Sequence, residues 1–121
     1  MDNSSPSEKQ IKEFWEWCGF KPVQSIAHNS WMYPNGGKGN LPSIDLNSLF
    51  RYAVPKLYKD NYFYECIQWN AGQHKAIINK STAKWAVTAS DVISSDPALA
   101  LFWAIFKVIK GEKDDRTDMP G

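Results

Sequence analysis

The sequence predicts an α+β domain in which a three-stranded antiparallel meander is covered by helices. The layers form an α/β/α sandwich of order α–loop–α–β–β–β–α. Three observations predict it. Apolar residues recur at helical spacing in three stretches, each opened by a capping residue. Between the second and third stretches lie three runs rich in β-branched and aromatic residues. The turns between those runs are too short to join anything but antiparallel neighbours.

The first helix is expected over 6–18. Ser5 is placed as its N-cap, Pro6 as its first residue and Glu8 where a capping box wants a carboxylate. Ile11, Phe14, Trp15 and Cys18 follow at i, i+3, i+4 and i+7 on one face, and Gly19 supplies the left-handed stop. From Phe20 to Ile44 the pattern changes. Lys21, ahead of Pro22, is pushed out of the α region, and Trp31-Met32-Tyr33 reads as a brief strand. Pro34-Asn35-Gly36-Gly37-Lys38-Gly39-Asn40 reads as a flexible turn. A connection this long is uncommon inside a compact domain and often functional, so it is the first place to look for a site.

Asp45 caps a second helix expected over 46–58, with Leu46, Leu49, Phe50, Ala53 and Leu57 on its apolar face. Pro55 removes a backbone hydrogen bond inside that pattern, at about 3 kcal/mol in a regular interior, and distorts the last turn. The strands are expected at 62–69, 74–79 and 84–89, with turns at Asn70–Gln73 and Lys80–Ala83. The first strand puts Phe63, Ile67 and Trp69 on one face and Tyr62, Tyr64 and Cys66 on the other. Two apolar faces predict helices on both. Asp96 and Pro97 open the last helix, whose buried stripe is Phe102, Ile105, Phe106 and Ile109, widened by Leu99 and Trp103. Gly111 stops it after Lys107 and Lys110. One domain over 6–111 results, between a disordered N-terminus, 1–5, and a charged disordered tail, 112–121.

Composition narrows the class. A 43% hydrophobic and 14% aromatic chain of 121 residues has the apolar surface for one packed core, which excludes a disordered protein. A net charge of +1 gives no global field for a polyanion. Cys18 and Cys66 are too few for a disulfide framework, and Met1–Ser5 is polar with no apolar core of a signal peptide. A cytoplasmic protein with free thiols is the expectation. The longest apolar stretch, 98–109, falls short of the roughly 20 residues that span a bilayer, so no membrane partner is expected.

Several of these residues also resemble a known family. Asp45-Leu46 opens a helix carrying Phe50, Ala53, Val54 and Leu57, and an aromatic strand ends at Trp69. Lys84-Trp85-Ala86-Val87-Thr88-Ala89 and Asp96-Pro97-Ala98-Leu99-Ala100 follow. Over about residues 31–111 this resembles the phage ABA sandwich domain, a family of small phage and prophage proteins. Lys12-Glu13-Phe14-Trp15-Glu16-Trp17-Cys18-Gly19-Phe20, with Trp31-Met32-Tyr33-Pro34 and Leu41-Pro42-Ser43-Ile44-Asp45-Leu46-Asn47, also looks like mobile-element proteins. The resemblance implies an α/β/α fold and a phage-derived gene, and no known reaction. Pro55 and the extended first helix depart from its pattern.

Residues with chemistry are few. Cys18 to His28 and Cys66 to His74 lack the paired knuckles of a zinc finger, so no metal is expected. The Gly36–Asn40 run lacks the Gly-Lys-Ser/Thr sequence and the strand-to-helix context of a phosphate loop. Neither a nucleophile elbow nor His-Glu-x-x-His occurs. The expectation is a chain that is not an enzyme, with no catalytic residue and no cofactor. Aromatic surface is the remaining candidate, because so many rings exceed what a small core can hide. Trp17, Trp31 and Tyr33, with Lys38 and Arg51, form the expected binding set. With the resemblance, they predict a non-enzymatic phage or prophage accessory protein that binds a host or phage macromolecule, a protein being the first expectation. Two alternatives stay open: a single-stranded nucleic-acid binder through the same residues, and a small-molecule site or hydrolase in the 28–45 loop. A sheet edge offers a route to a homo-oligomer.

Overall fold

The computed structural model describes residues 5–23, 30–81 and 86–118, and of Trp69, Ala86 and residues 112–118 the backbone only. The fold is α+β, with helices and two antiparallel three-stranded sheets. It divides into two compact units, Pro6–Ser43 and Ile44–Gly121, where the sequence reads as one domain over 6–111.

The smaller unit opens with α1, Glu8–Trp17. Its cap is Ser7 rather than Ser5, because Ser7-Glu8-Lys9-Gln10 places a glutamine at the third helical position. The Gln10 N–H donates to Ser7 Oγ at 3.2 Å, and the Ser7 N–H donates back to Gln10 Oε1 at 2.8 Å. Two orphan donors are satisfied at once, which Pro6 and Glu8 could not do. The helix ends as expected. Gly19 sits at φ 108, the Gly19 N–H donates to the Glu16 carbonyl at 3.0 Å and the Phe20 N–H to the Trp15 carbonyl at 3.0 Å. Those two bonds make a Schellman motif, and its usual apolar contact is present as an edge-on pair of Trp15 and Phe20 rings, 5.3 Å apart.

The long connection holds a small sheet, of which the sequence reading gives only the brief strand at Trp31-Met32-Tyr33. Strands β1 (Lys21–Pro22), β2 (Trp31–Met32) and β3 (Lys38–Gly39) pair antiparallel in that order. The expected flexible turn is a structured hairpin. The Gly36 N–H donates to the Tyr33 carbonyl at 2.9 Å, the Tyr33 N–H donates to the Gly37 carbonyl at 2.7 Å, and Gly36 takes φ 98. Phe14, Trp15, Cys18, Phe20 and Trp31 are buried.

The larger unit begins with α2, Leu46–Ser48, capped by Asp45, whose Oδ1 accepts the Ser48 N–H at 2.8 Å. A π turn, Leu49–Ala53, follows, then α3, Val54–Lys59. Pro55 therefore does not end the helix. A proline has no N–H to donate and clashes with the carbonyl four residues back. The π turn shifts the pattern, with the Val54 N–H donating to the Leu49 carbonyl, five residues back. Phe50, expected on the buried face, is exposed, while Leu49, Ala53, Val54 and Leu57 are buried.

Strands β4 (Tyr62–Asn70), β5 (Gln73–Ser81) and β6 (Ala86–Ser94) form the expected meander. β6 runs five residues past its expected end at Ala89, and the expected 80–83 turn and Trp85 fall partly or wholly in residues 82–85, outside the described part. Helix α4, Pro97–Asp118, packs on β5 and β6. Asp96 Oδ1 accepts the Ala98 N–H at 2.8 Å, the expected cap. The Ser90 hydroxyl donates to the Ala104 carbonyl at 2.6 Å, tying the sheet to the middle of α4.

Three expectations change here. Buried positions run nearly round α4, from Ala98 through Ile109, so it is a core helix and not one with a stripe. The helix passes Gly111, the expected stop, and reaches Asp118, so most of the expected disordered tail is helical; 119–121, like 1–4, lie outside the described residues. The sheet is also not covered on both faces. Tyr62, Ala76, Ile78, Ser90, Val92 and Ser94 are buried on the α4 side, while Phe63 and Ile67 on the other are 49% and 41% exposed. Polar groups hold that open face: Lys75 Nζ lies 3.9 Å from Asp91, and Asn79 Nδ2 donates to Glu65 at 3.2 Å. Among the described residues no helix is long and apolar enough to cross a membrane.

Candidate functional site

The unit Pro6–Ser43 contains a cleft of about 470 Å³, inside the range of roughly 300–1,000 Å³ typical of ligand sites. Three pieces of chain build it. Helix α1 contributes Glu8, Ile11 and Lys12, which the helical repeat sets on one face. Pro22, Val23, Ser30 and Trp31 come from β1, β2 and their flanks, where the Val23 N–H donates to the Ser30 carbonyl at 3.0 Å. Asn40, Leu41 and Pro42 complete it.

That last piece is pinned at both ends. Trp15 Nε1 donates to the Pro42 carbonyl at 3.2 Å, and the Tyr33 hydroxyl donates to the Asn40 carbonyl. Both bonds join backbone to a ring held by packing: Trp15 is fully buried, and Tyr33 meets Phe20 edge-on at 4.8 Å. The cleft is thus a preformed frame. Its interior is aliphatic and aromatic, from Ile11, Val23, Trp31 and Leu41. Glu8 and Lys12, one helical turn apart, supply one carboxylate and one ammonium, and Ser30 and Asn40 add neutral hydrogen-bonding groups. Among the described residues its lining holds neither cysteine nor histidine.

The expected binding set divides. Trp31 is 7% exposed and acts as a cleft wall rather than an open plate. Tyr33 and Trp17 are half-buried, the former with its hydroxyl engaged. Lys38 is exposed on β3. Arg51 belongs to the other unit, exposed on the π turn, with its guanidinium 5.5 Å from the Tyr52 ring centre. Glu8, Ile11 and Lys12 escape the sequence reading as site residues, while Leu41 falls in the 28–45 loop that it offers as an alternative site. A signal for them exists: Glu8, Ile11 and Lys12 share a helix face beside the one Phe14 and Trp15 bury.

A second surface lies on the unit Ile44–Gly121. Phe50, Tyr64, Tyr58 and Phe63 form a run of rings with centres 5.5, 6.3 and 6.1 Å apart, and Phe50, Tyr58 and Phe63 are 41–51% exposed. Desolvation, with Tyr58 and Cys66 nearby, pushes the Tyr64 hydroxyl up. Partial burial likewise pushes the Cys66 thiol up, although the residue as a whole is exposed.

Cys18 is buried and His74 half-buried, and His28 lies outside the described residues. Among the described residues no group of three His, Cys, Asp or Glu side chains could hold a metal ion. Compared with protein-family models, curated proteins and solved structures, the chain matches none.

Proposed function

We propose that this chain is a non-enzymatic accessory protein that holds a short extended segment of a host or phage protein in the cleft of the unit Pro6–Ser43. The cleft carries the reading. It is preformed by backbone-directed bonds from Trp15 and Tyr33, it is mostly apolar, and it sets opposite charges one helical turn apart. Such a lining suits a peptide with an aliphatic anchor between polar ends, since apolar contact supplies affinity and the few polar groups fix direction. The phage or prophage origin, and with it a bacterial cytoplasmic setting, rests on the sequence resemblance alone.

Nucleic-acid binding through the same residues has less support, because Trp31 is buried and the Tyr33 hydroxyl is used within the unit. The test is selection of a displayed random-peptide library on the full chain, followed by titration of the enriched peptides. Peptides with an aliphatic centre are expected, and their affinity falls at least tenfold in Lys12→Glu and Leu41→Asp. No enrichment above an unrelated protein, or affinities equal in both variants, overturns the reading. Saturation of the cleft by a small organic compound with no peptide binding replaces it with a small-molecule site.

A further inference from the structure

Among the described residues, the strand order β4-β5-β6 makes β4 and β6 the two edges of the sheet, and the two edges are not alike. β6 carries the usual protection. Its pairing shifts between Ile78 and Asn79, where Ser90 and Thr88 are their partners and Ala89 is the extra residue. A bulge of this kind twists an edge away from further pairing. β4 is regular from Tyr62 to Gln68, its irregularity falling only between Gln68 and Asn70. Phe63, Glu65, Cys66, Ile67 and Gln68 on it are exposed. It contains no proline or lysine, and Glu65 is its single charge. A long regular edge with exposed apolar residues is a template for another strand.

We infer that two copies of this chain pair along β4, antiparallel about a two-fold axis at Cys66, and join their sheets into one of six strands. A strand pairing with its own copy antiparallel closes with two-fold symmetry, so the assembly stops at a dimer. Glu65 selects the register. An axis at Glu65 would set two carboxylates directly opposite, which destabilises a cross-strand pair. An axis at Phe63 or Tyr64 would centre the junction on rings against which Tyr58 of α3 already packs, and an axis at Ile67 would draw the irregular end after Gln68 into the centre. At Cys66 the regular residues pair Tyr64 with Gln68 and Glu65 with Ile67, and Cys66 meets its own copy. Phe63 and Ile67 then continue the apolar side of the open face across the junction. The inference does not depend on the cleft, which shares no residue with β4.

Light scattering on the full chain across a wide concentration range tests it. The expected mass at high concentration is twice the 13.8 kDa of one chain. Directly opposed residues of antiparallel strands lie about 4.5–5.5 Å apart at Cα, within the reach of a disulfide. Diamide should therefore link the dimer through Cys66, its azo group taking up the two electrons and two protons that two thiols lose in forming the S–S bond. Cys66→Ser should keep the dimer and lose the link, and Cys18→Ser should keep both. Cys66→Lys, which opposes two ammonium groups at the axis, should give the monomer mass with an unchanged circular dichroism spectrum. A wild-type monomer at every concentration overturns the inference. So does a dimer that Cys66→Lys leaves intact and that diamide does not link through Cys66.

Discussion

Gly19 does work that no other residue could do as cheaply. It holds φ 108 in the Schellman motif that ends α1, and a Cβ there would meet Pro34 Cγ at 3.4 Å. The left-handed backbone is what opposes a side chain, the proline being at ordinary contact distance, so Gly19→Ala should cost about 1–2 kcal/mol, measured by urea unfolding. Ser90 is the second residue whose chemistry is exposed by deletion. Its buried hydroxyl donates to the Ala104 carbonyl at 2.6 Å, and that carbonyl sits mid-helix. Ser90→Ala removes a bond worth about 1 kcal/mol and leaves a small void in its place. Ser90→Thr should fare no better, because the extra methyl must fit between sheet and helix. At Cys66 the consequence is reactivity rather than stability. A raised pKa means less thiolate at a given pH, so iodoacetamide should label Cys66 more slowly than glutathione at pH 8. A rate equal to or above that of glutathione would contradict the desolvation at this position.

At the scale of the element, α4 shows how a helix can pass its own stop signal. Gly111 follows Lys110 as a C-terminal glycine should, yet the helix goes on to Asp118. A glycine ends a helix when the chain there turns left-handed, and Gly111 is absent from the positive-φ residues. Kept inside the helix, it only costs chain entropy. Because a Cβ at 111 would meet nothing within 4 Å, Gly111→Ala should stabilise by about 0.5–1 kcal/mol. A thermal melt raised by a few degrees would register it. The same local-against-tertiary contrast governs what was legible. Caps at Asp45 and Asp96, the Gly19 stop and the meander read correctly because each depends on near neighbours in sequence. Of the three short strands of the small unit only the one at Trp31–Met32 was read, since two-residue strands have no period to detect and their pairing is tertiary. The π turn was half legible: Pro55 announced a distortion, but not that the helix would absorb it by one wider turn. Trp31 was read as an exposed ring and is instead a buried wall of the cleft.

Across the whole molecule the charge is nearly balanced, and that decides what kind of partner its surfaces can draw. The net charge is +1, and two of the lysines are already beside carboxylates: Lys56 Nζ lies 3.0 Å from Asp60, and Lys75 Nζ 3.9 Å from Asp91. The run of rings from Phe50 to Phe63 offers faces on which bases could stack, with Arg51 and Lys59 as exposed cations on the neighbouring helix turns. Stacking alone does not make a single-strand binder; a basic track must follow the backbone, and each phosphate neutralised steepens the response to salt. With so few free cations near the rings, an oligothymidylate should bind weakly and with a shallow salt dependence in fluorescence anisotropy. Its affinity should fall by less than about tenfold between 50 and 200 mM salt, against the roughly 300-fold or more expected where six or more phosphates of a single strand are neutralised. A steep slope abolished by Phe50→Ala with Tyr58→Ala, and untouched by Leu41→Asp, would move the principal binding surface from the cleft to the rings. Weak, salt-insensitive binding leaves the cleft as the proposed binding surface.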